Sequence, residues 1–234
     1  MDKKLNIIAT IKDGFAIALV NFLSLILTTL LWLVTVWIPY LNVGTTIAME
    51  SLPAELAKGK VINPLFIFDG KYRKNMGEFF ILMALMSGAI GIGLGFGFIP
   101  GIVIAIAWDL AIVLFVDKDM SALDALRESN RLTYGNKARI FWIAILVVVC
   151  LCVLISVILG IFSIGEIGWL EVIGGILVAI IVLFAIPALL GVDASIYRQL
   201  TTGEFLAAPA NEAPAAAPAS EAPKAEAPKA PKAE

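Results

Sequence analysis

Asp109 is the one charged residue in an apolar run from Phe79 to Val116. A carboxylate at the centre of a bilayer costs ~2.5–3.5 kcal/mol on translocon scales, so it must face the bundle interior or water. There it could hold a proton or a cation. It could equally be a neutral, hydrogen-bonded acid that fixes helix packing, with Asn21 and Asn42 as candidate partners. No Lys, Arg or His lies in the apolar runs, so a proton relay lacks a second member. The whole chain has no His, which removes the commonest general base and the commonest metal ligand.

Other groupings are weaker. Cys150 and Cys152 would point about 200° apart on a helix and cannot bridge each other. A CxC pair could supply half of a soft-metal site, but the other half is missing, so they read as small apolar packing residues. Gly91, Gly93, Gly95 and Gly97 have the look of a nucleotide loop, but no strand precedes them and no Lys-Ser/Thr follows. With Gly101 they supply the Gly91/Gly95, Gly93/Gly97 and Gly97/Gly101 pairs, whose spacing lets helices approach closely in lipid. Gly174 and Gly175 repeat that theme more weakly. There is no catalytic triad, no carboxylate pair at a cleft and no phosphate loop. No catalytic residue, metal site or cofactor is expected.

The elements that must position Asp109 follow from composition. Hydrophobic residues make up 60% of 234 and charged residues 15%, with a mean hydropathy of +0.95. That leaves too little polar surface to cover an apolar core in water, so the chain belongs in a bilayer. A net charge of −2 gives no footprint for nucleic acid. The expected fold class is all-α: a polytopic transmembrane bundle.

A span needs roughly 20 apolar residues. The stretches 140–165 and 172–192 supply one each, joined around Gly165–Gly168. The run 79–116 supplies two, turning at Phe98-Ile99-Pro100-Gly101 into a hairpin of about 79–97 and 101–116. Phe15–Ile38 is a further span. Residues 40–57 are ambiguous: Glu50, Glu55 and Pro53 interrupt them, and they cross, re-enter or lie at the interface. Segments 58–78 and 117–139 hold five Lys/Arg each, and the intervening turns hold none. By the positive-inside rule those segments are cytoplasmic, and so is the N-terminus with Lys3, Lys4 and Lys12. An even number of crossings must then precede residue 58, which favours six embedded segments in three hairpins, or five if 40–57 is interfacial. The apolar run from Phe15 is too long for a cleaved signal peptide.

Residues 120–133 form a polar-faced helix, with Ser121 and Asp124 as a capping box, a stripe of Leu123, Leu126 and Leu132, and Asp124–Arg127 and Glu128–Arg131 ion pairs. Gly135 closes it. It should lie along the cytoplasmic interface as a connector. Residues 1–203 form the membrane domain. Residues 204–234, rich in Ala, Pro, Glu and Lys, have no core-forming residues and should be a disordered tail.

The stretch from Ile99 to Leu200 carries a pattern: Ile99-Pro100-Gly101-Ile102, Asp117, Ser121-Ala122, Ala125-Leu126, Ser129, Leu132, Gly135, Phe141, Tyr197 and Leu200. Upstream, Pro39, Gly44 and the Gly59-to-Phe68 loop fit the same scheme. Over residues 10–200 the chain resembles the bacterial multi-pass membrane proteins catalogued as domain of unknown function nine-seven-five and relatives. The resemblance implies a bacterial cytoplasmic (inner) membrane protein of about six helices, and no substrate.

The partners expected are the lipid bilayer and either an unidentified protein or a second copy of the chain. The function expected is that of a non-enzymatic membrane scaffold or accessory subunit. The alternative is a small-solute or ion transporter or channel using Asp109. Polar lining separates the two, since a transporter needs several polar groups facing one cavity.

Overall fold

The structure is a computed structural model that describes residues 4–162 and 168–202. The tail over 204–234, Lys3 and most of the turn around Gly165–Gly168 lie outside the described residues.

Helix α1 (Ile7–Val20) starts at Asn6, whose side chain accepts from the Ala9 N–H at 3.2 Å. Helix α2 (Phe22–Thr35) follows after one residue, bent by 76°. The straight span expected over Phe15–Ile38 is therefore broken at Asn21. The cause is local: Asn competes for backbone groups and is a poor helix former. Its Nδ2 donates to the Ile17 carbonyl (3.2 Å) and its Oδ1 accepts the Ile62 N–H (3.0 Å), which fastens the bend to a distant loop.

The ambiguous segment becomes α3 (Leu41–Glu50) and α4 (Leu52–Ala57), with Pro53 in the first turn of α4. Neither is long enough to cross a bilayer. They pack into protein instead: Ala48, Leu52 and Leu56 are fully buried. Trp32 Nε1 donates to Thr46 Oγ1 (3.1 Å) and Thr35 Oγ1 to Thr45 Oγ1 (2.9 Å), which lock α2 to α3. A 3-10 turn (Pro64–Phe68) and the short α5 (Lys71–Lys74) lead onward.

The expected hairpin is present as α6 (Met76–Gly95) and α7 (Ile99–Ala107). Its turn falls one step early, at Phe96–Phe98, where Gly97 and Phe98 have positive φ. Pro100 and Gly101 belong to the first turn of α7, where a missing N–H costs nothing. After α7 the chain breaks before α8 (Ala111–Asp117). The connector helix is α9 (Ala122–Thr133), capped by Ser121 and closed at Gly135 (φ +78°). Both anticipated ion pairs form, at 3.3 and 2.6 Å. Its buried stripe is Ala122, Ala125, Leu126, Ser129 and Thr133, whereas Leu123 is exposed. The small and polar side of α9 faces inward because it seals a helix break rather than resting on lipid.

Helices α10 (Lys137–Phe162) and α11 (Gly168–Thr201) are the longest. The core lies at one end, where Leu110 and Leu114 of α8, Ile143 of α10 and Val192, Ile196 and Leu200 of α11 meet Leu5. Every buried residue of α11 other than Gly174 comes at or after Pro187. The other end of the α10–α11 pair is apolar and open.

Four helical segments are long and apolar enough to cross a membrane: α6, the α7–α8 unit, α10 and α11. The bent α1–α2 pair makes five if it counts as one span. That is fewer than the six expected, because residues 40–57 divide into two short helices.

Candidate functional site

Asp109 sits in the break between α7 and α8. No Pro or Gly causes it. A side chain enters the backbone ladder instead: Ser129 of α9 donates to the Ala107 carbonyl (2.9 Å) and accepts the Leu110 N–H (3.2 Å). Thr133 adds a second bond to the same carbonyl (3.3 Å). A break in a spanning segment would otherwise leave polar backbone groups bare in an apolar setting. The polar stripe of α9 satisfies them, so the break is a built feature.

The break turns Asp109 toward Glu50, the last residue of α3, and Asp193 of α11. The three carboxylates line one cavity of about 260 Å³ with Trp32, Thr46 and the apolar side chains of Ile112, Ile186 and Leu190. All three side chains are exposed, opening onto this space although the helices surround them. None of the three has a hydrogen bond or ion pair with another described residue. Among the described residues no three carboxylates are close enough together to hold one metal ion. They ring a volume instead. When ionised together, three carboxylates facing one cavity repel each other, and a proton or cation entering it relieves that repulsion.

A fourth carboxylate is treated in the opposite way. Asp13 of α1 is buried against α11. Its Oδ2 accepts from Ser195 Oγ (2.7 Å), Ser195 accepts from Gln199 Nε2 (2.9 Å), and Thr10 Oγ1 donates to Gln199 Oε1 (3.1 Å). Gly14 and Gly191 make this proximity feasible. A Cβ on Gly191 would overlap the Gly14 carbonyl oxygen, and one on Gly14 would come within 2.6 Å of the Val192 Cα.

Below the cavity, toward the ends of α8 and α11, lies a charged chain. Tyr197 donates to Asp117 (2.6 Å), and Lys58 bridges Asp117 and Glu55 (3.2 Å each). Lys71 reaches Glu55 at 3.2 Å. Partial burial works against the charge on Lys58, but its bonds to Glu55 and Asp117 outweigh this and hold its pKa above the ordinary lysine value. By helical rise Asp193 is about 6 Å from Tyr197 along α11. The carboxylate cavity thus opens about one turn from this charged face.

The remaining sequence candidates are placed as follows. Asn42 bonds the Val36 carbonyl (3.3 Å) and Asn21 bonds Ile17 and Ile62, so neither partners Asp109. Gly93 and Gly101 meet across the α6–α7 hairpin, where a Cβ on Gly93 would lie 2.8 Å from the Gly101 Cα. Gly91 and Gly95 face open space, and Gly97 serves the turn. Gly174 packs on Phe162, and Gly175 faces open space. Cys150 and Cys152 are both exposed and unbridged, so they do not pack as buried residues. The expectation that Asp109 lacks a titratable neighbour is corrected by Asp193 and Glu50. Asp193 was hidden because it follows the apolar run 172–192 and so looks like a span boundary. Glu50 showed only as an interruption.

The fold and its long apolar helices define an all-helical membrane protein. Compared with models of known families, with curated proteins and with solved structures, the chain matches none.

Proposed function

We propose that this is a polytopic membrane protein that binds a proton or small cation in the Glu50–Asp109–Asp193 cavity and carries it across the bilayer. The observation behind this is the convergence, at a built helix break, of three carboxylates from three elements that have no partner among the described residues. Broken helices that line a polar cavity are the usual architecture of transport sites. Several polar groups on one cavity is the feature that separates a transporter from a scaffold. The resemblance over residues 10–200 supports a bacterial cytoplasmic membrane, and the Lys/Arg distribution supports both termini on the cytoplasmic side. We read α3–α4 as the return limb of a re-entrant hairpin with α2, which brings residue 58 back to the cytoplasmic side.

The test is flux in proteoliposomes holding the full chain, with a pH-sensitive dye inside and an imposed cation gradient. Wild type should move protons or the cation. Asp109→Asn and Asp193→Asn should each abolish the signal while the protein elutes unchanged from a sizing column. Full flux in both variants would overturn the reading.

A scaffold or accessory subunit is the second reading. The α10 segment between Leu146 and Ile161 supports it, because most of its apolar side chains are exposed and none is buried. Stoichiometric co-purification of another membrane protein, together with absence of flux, would favour it.

A further inference from the structure

A groove runs between α1, α10 and α11, away from the carboxylate cavity. Ile11, Phe15, Val147, Leu151, Ile181 and Ala188 are among its lining residues, and its volume is about 530 Å³. It is almost wholly apolar and lies along two helices long enough to cross a membrane. An apolar groove inside a bilayer takes a lipid chain of some kind. What the structure adds is the charge at one end.

That end is built by Asn136. Its Oδ1 accepts the Leu5 N–H (3.0 Å) and an Arg139 Nη1 (3.3 Å). One side chain therefore ties the segment before α1 to the start of α10, so that the backbone next to Lys4 and the Arg139 guanidinium meet on one oxygen. Lys137, two residues away on α10, projects about 200° from Arg139 and bonds Asn130 Oδ1 of α9 instead (2.8 Å). Arg139 precedes the groove residue Leu146 by seven positions, which is two helical turns, so the two share a face about 10 Å apart. Lys12 lies exposed on α1 between groove residues Ile11 and Phe15. None of Lys4, Lys12, Lys137 and Arg139 has an ion pair with a carboxylate among the described residues. The nearest acid on α1, Asp13, faces α11 and is bonded to Ser195. Arg139, Lys12 and the segment carrying Lys4 thus bring basic groups, with no carboxylate partner among the described residues, to the mouth of an apolar groove.

We propose that this groove is a binding site for an anionic phospholipid, with an acyl chain between α1, α10 and α11 and the phosphate on Arg139 and Lys4. Charge and groove are both required. The basic cluster alone would attract any anion, and the groove alone would accept any lipid. Bound there, the lipid bridges α1 to α10, the same pair of elements that Asn136 joins. This proposal does not depend on the function assigned to the carboxylate cavity.

The test is native mass spectrometry of the full chain, delipidated in neutral detergent and titrated with phosphatidylglycerol and phosphatidylcholine of matched chains. Wild type should retain one phosphatidylglycerol in preference to phosphatidylcholine. Lys4→Gln combined with Arg139→Gln should lower that preference by roughly fivefold per charge removed, the weight of one basic side chain at an anionic surface. Lys4 is exposed and Arg139 half-buried, and neither belongs to the packed core. Ala188→Trp, which fills the groove, should reduce retention of both lipids. Equal retention of the two lipids by wild type would overturn the proposal, as would an unchanged preference in the double variant. Displacement of phosphatidylglycerol by inorganic phosphate would show an ion site and no lipid site. A second copy of the chain in place of lipid would show a dimer face. Either result would also overturn it.

Discussion

Helix α11 presents carboxylate chemistry on two opposite faces. Asp193 and Ser195 are two residues apart and so project about 200° from each other. On the Ser195 side, Asp13 is buried and its hydroxyl partner is in turn held by Gln199 and Thr10. On the other side, Asp193 shares an open cavity with Asp109 and Glu50, with no partner among the described residues. The first arrangement joins α1 to α11 by satisfying every group it buries, as a low-dielectric setting requires. The second leaves charges uncompensated where a binding site can use them. A carboxylate in a membrane protein thus belongs to the fold when its bonds are complete, and to function when they are left open.

Substitutions at three positions can break or sharpen this contrast. The largest effect should come from Gly191→Leu. Its side chain would have to displace the α1 backbone at Gly14, where no flexible neighbour can yield. Overpacking of this kind costs about 3 kcal/mol or more, read as loss of the folded fraction in mixed-micelle unfolding. A stable Gly191→Leu protein would mean that α1 and α11 are not in close contact.

Asp13→Leu comes next. It strips the acceptor from Ser195 and leaves buried polar groups unsatisfied, at roughly 2 kcal/mol. Asp13→Asn keeps an oxygen acceptor for the Ser195 hydroxyl and should recover most of the loss in the same unfolding assay. Equal damage from Leu and Asn would show that charge, and not the hydrogen bond, holds this face together.

The smallest effect on stability should come from Asp109→Leu. No bond is lost, and an uncompensated charge is removed from an apolar region, so stability should change by under about 1 kcal/mol in either direction. A large destabilisation would place Asp109 in the same class as Asp13 and remove the contrast.

The sequence showed some of this and concealed the rest for physical reasons. The α6–α7 hairpin was legible because Gly and Pro punctuate an apolar run. The cap and ion pairs of α9 were legible because they are local, three residues apart. Asp109 was legible because one charge in a long apolar run has no neighbour to blur it. Asp193 was not, since a charge at the end of such a run marks a boundary as readily as a site. The Asp13–Ser195 bond joins residues 182 apart, and no local pattern encodes it. The break at Asn21 was missed because an apolar run signals a span while one polar residue rarely ends it. The inward polar stripe of α9 was read as a solvated face, because an open backbone ladder for it to close is visible only in three dimensions.

The central claim is that the chain holds one closed and one open set of carboxylates. A hydrophobic carbodiimide applied to the protein in liposomes, followed by peptide mass spectrometry, tests it directly. The account requires modification at Asp109, Asp193 or Glu50, protection of those positions by a saturating transported cation, and an unmodified Asp13. Labelling at Asp13 with an unreactive cavity would contradict it.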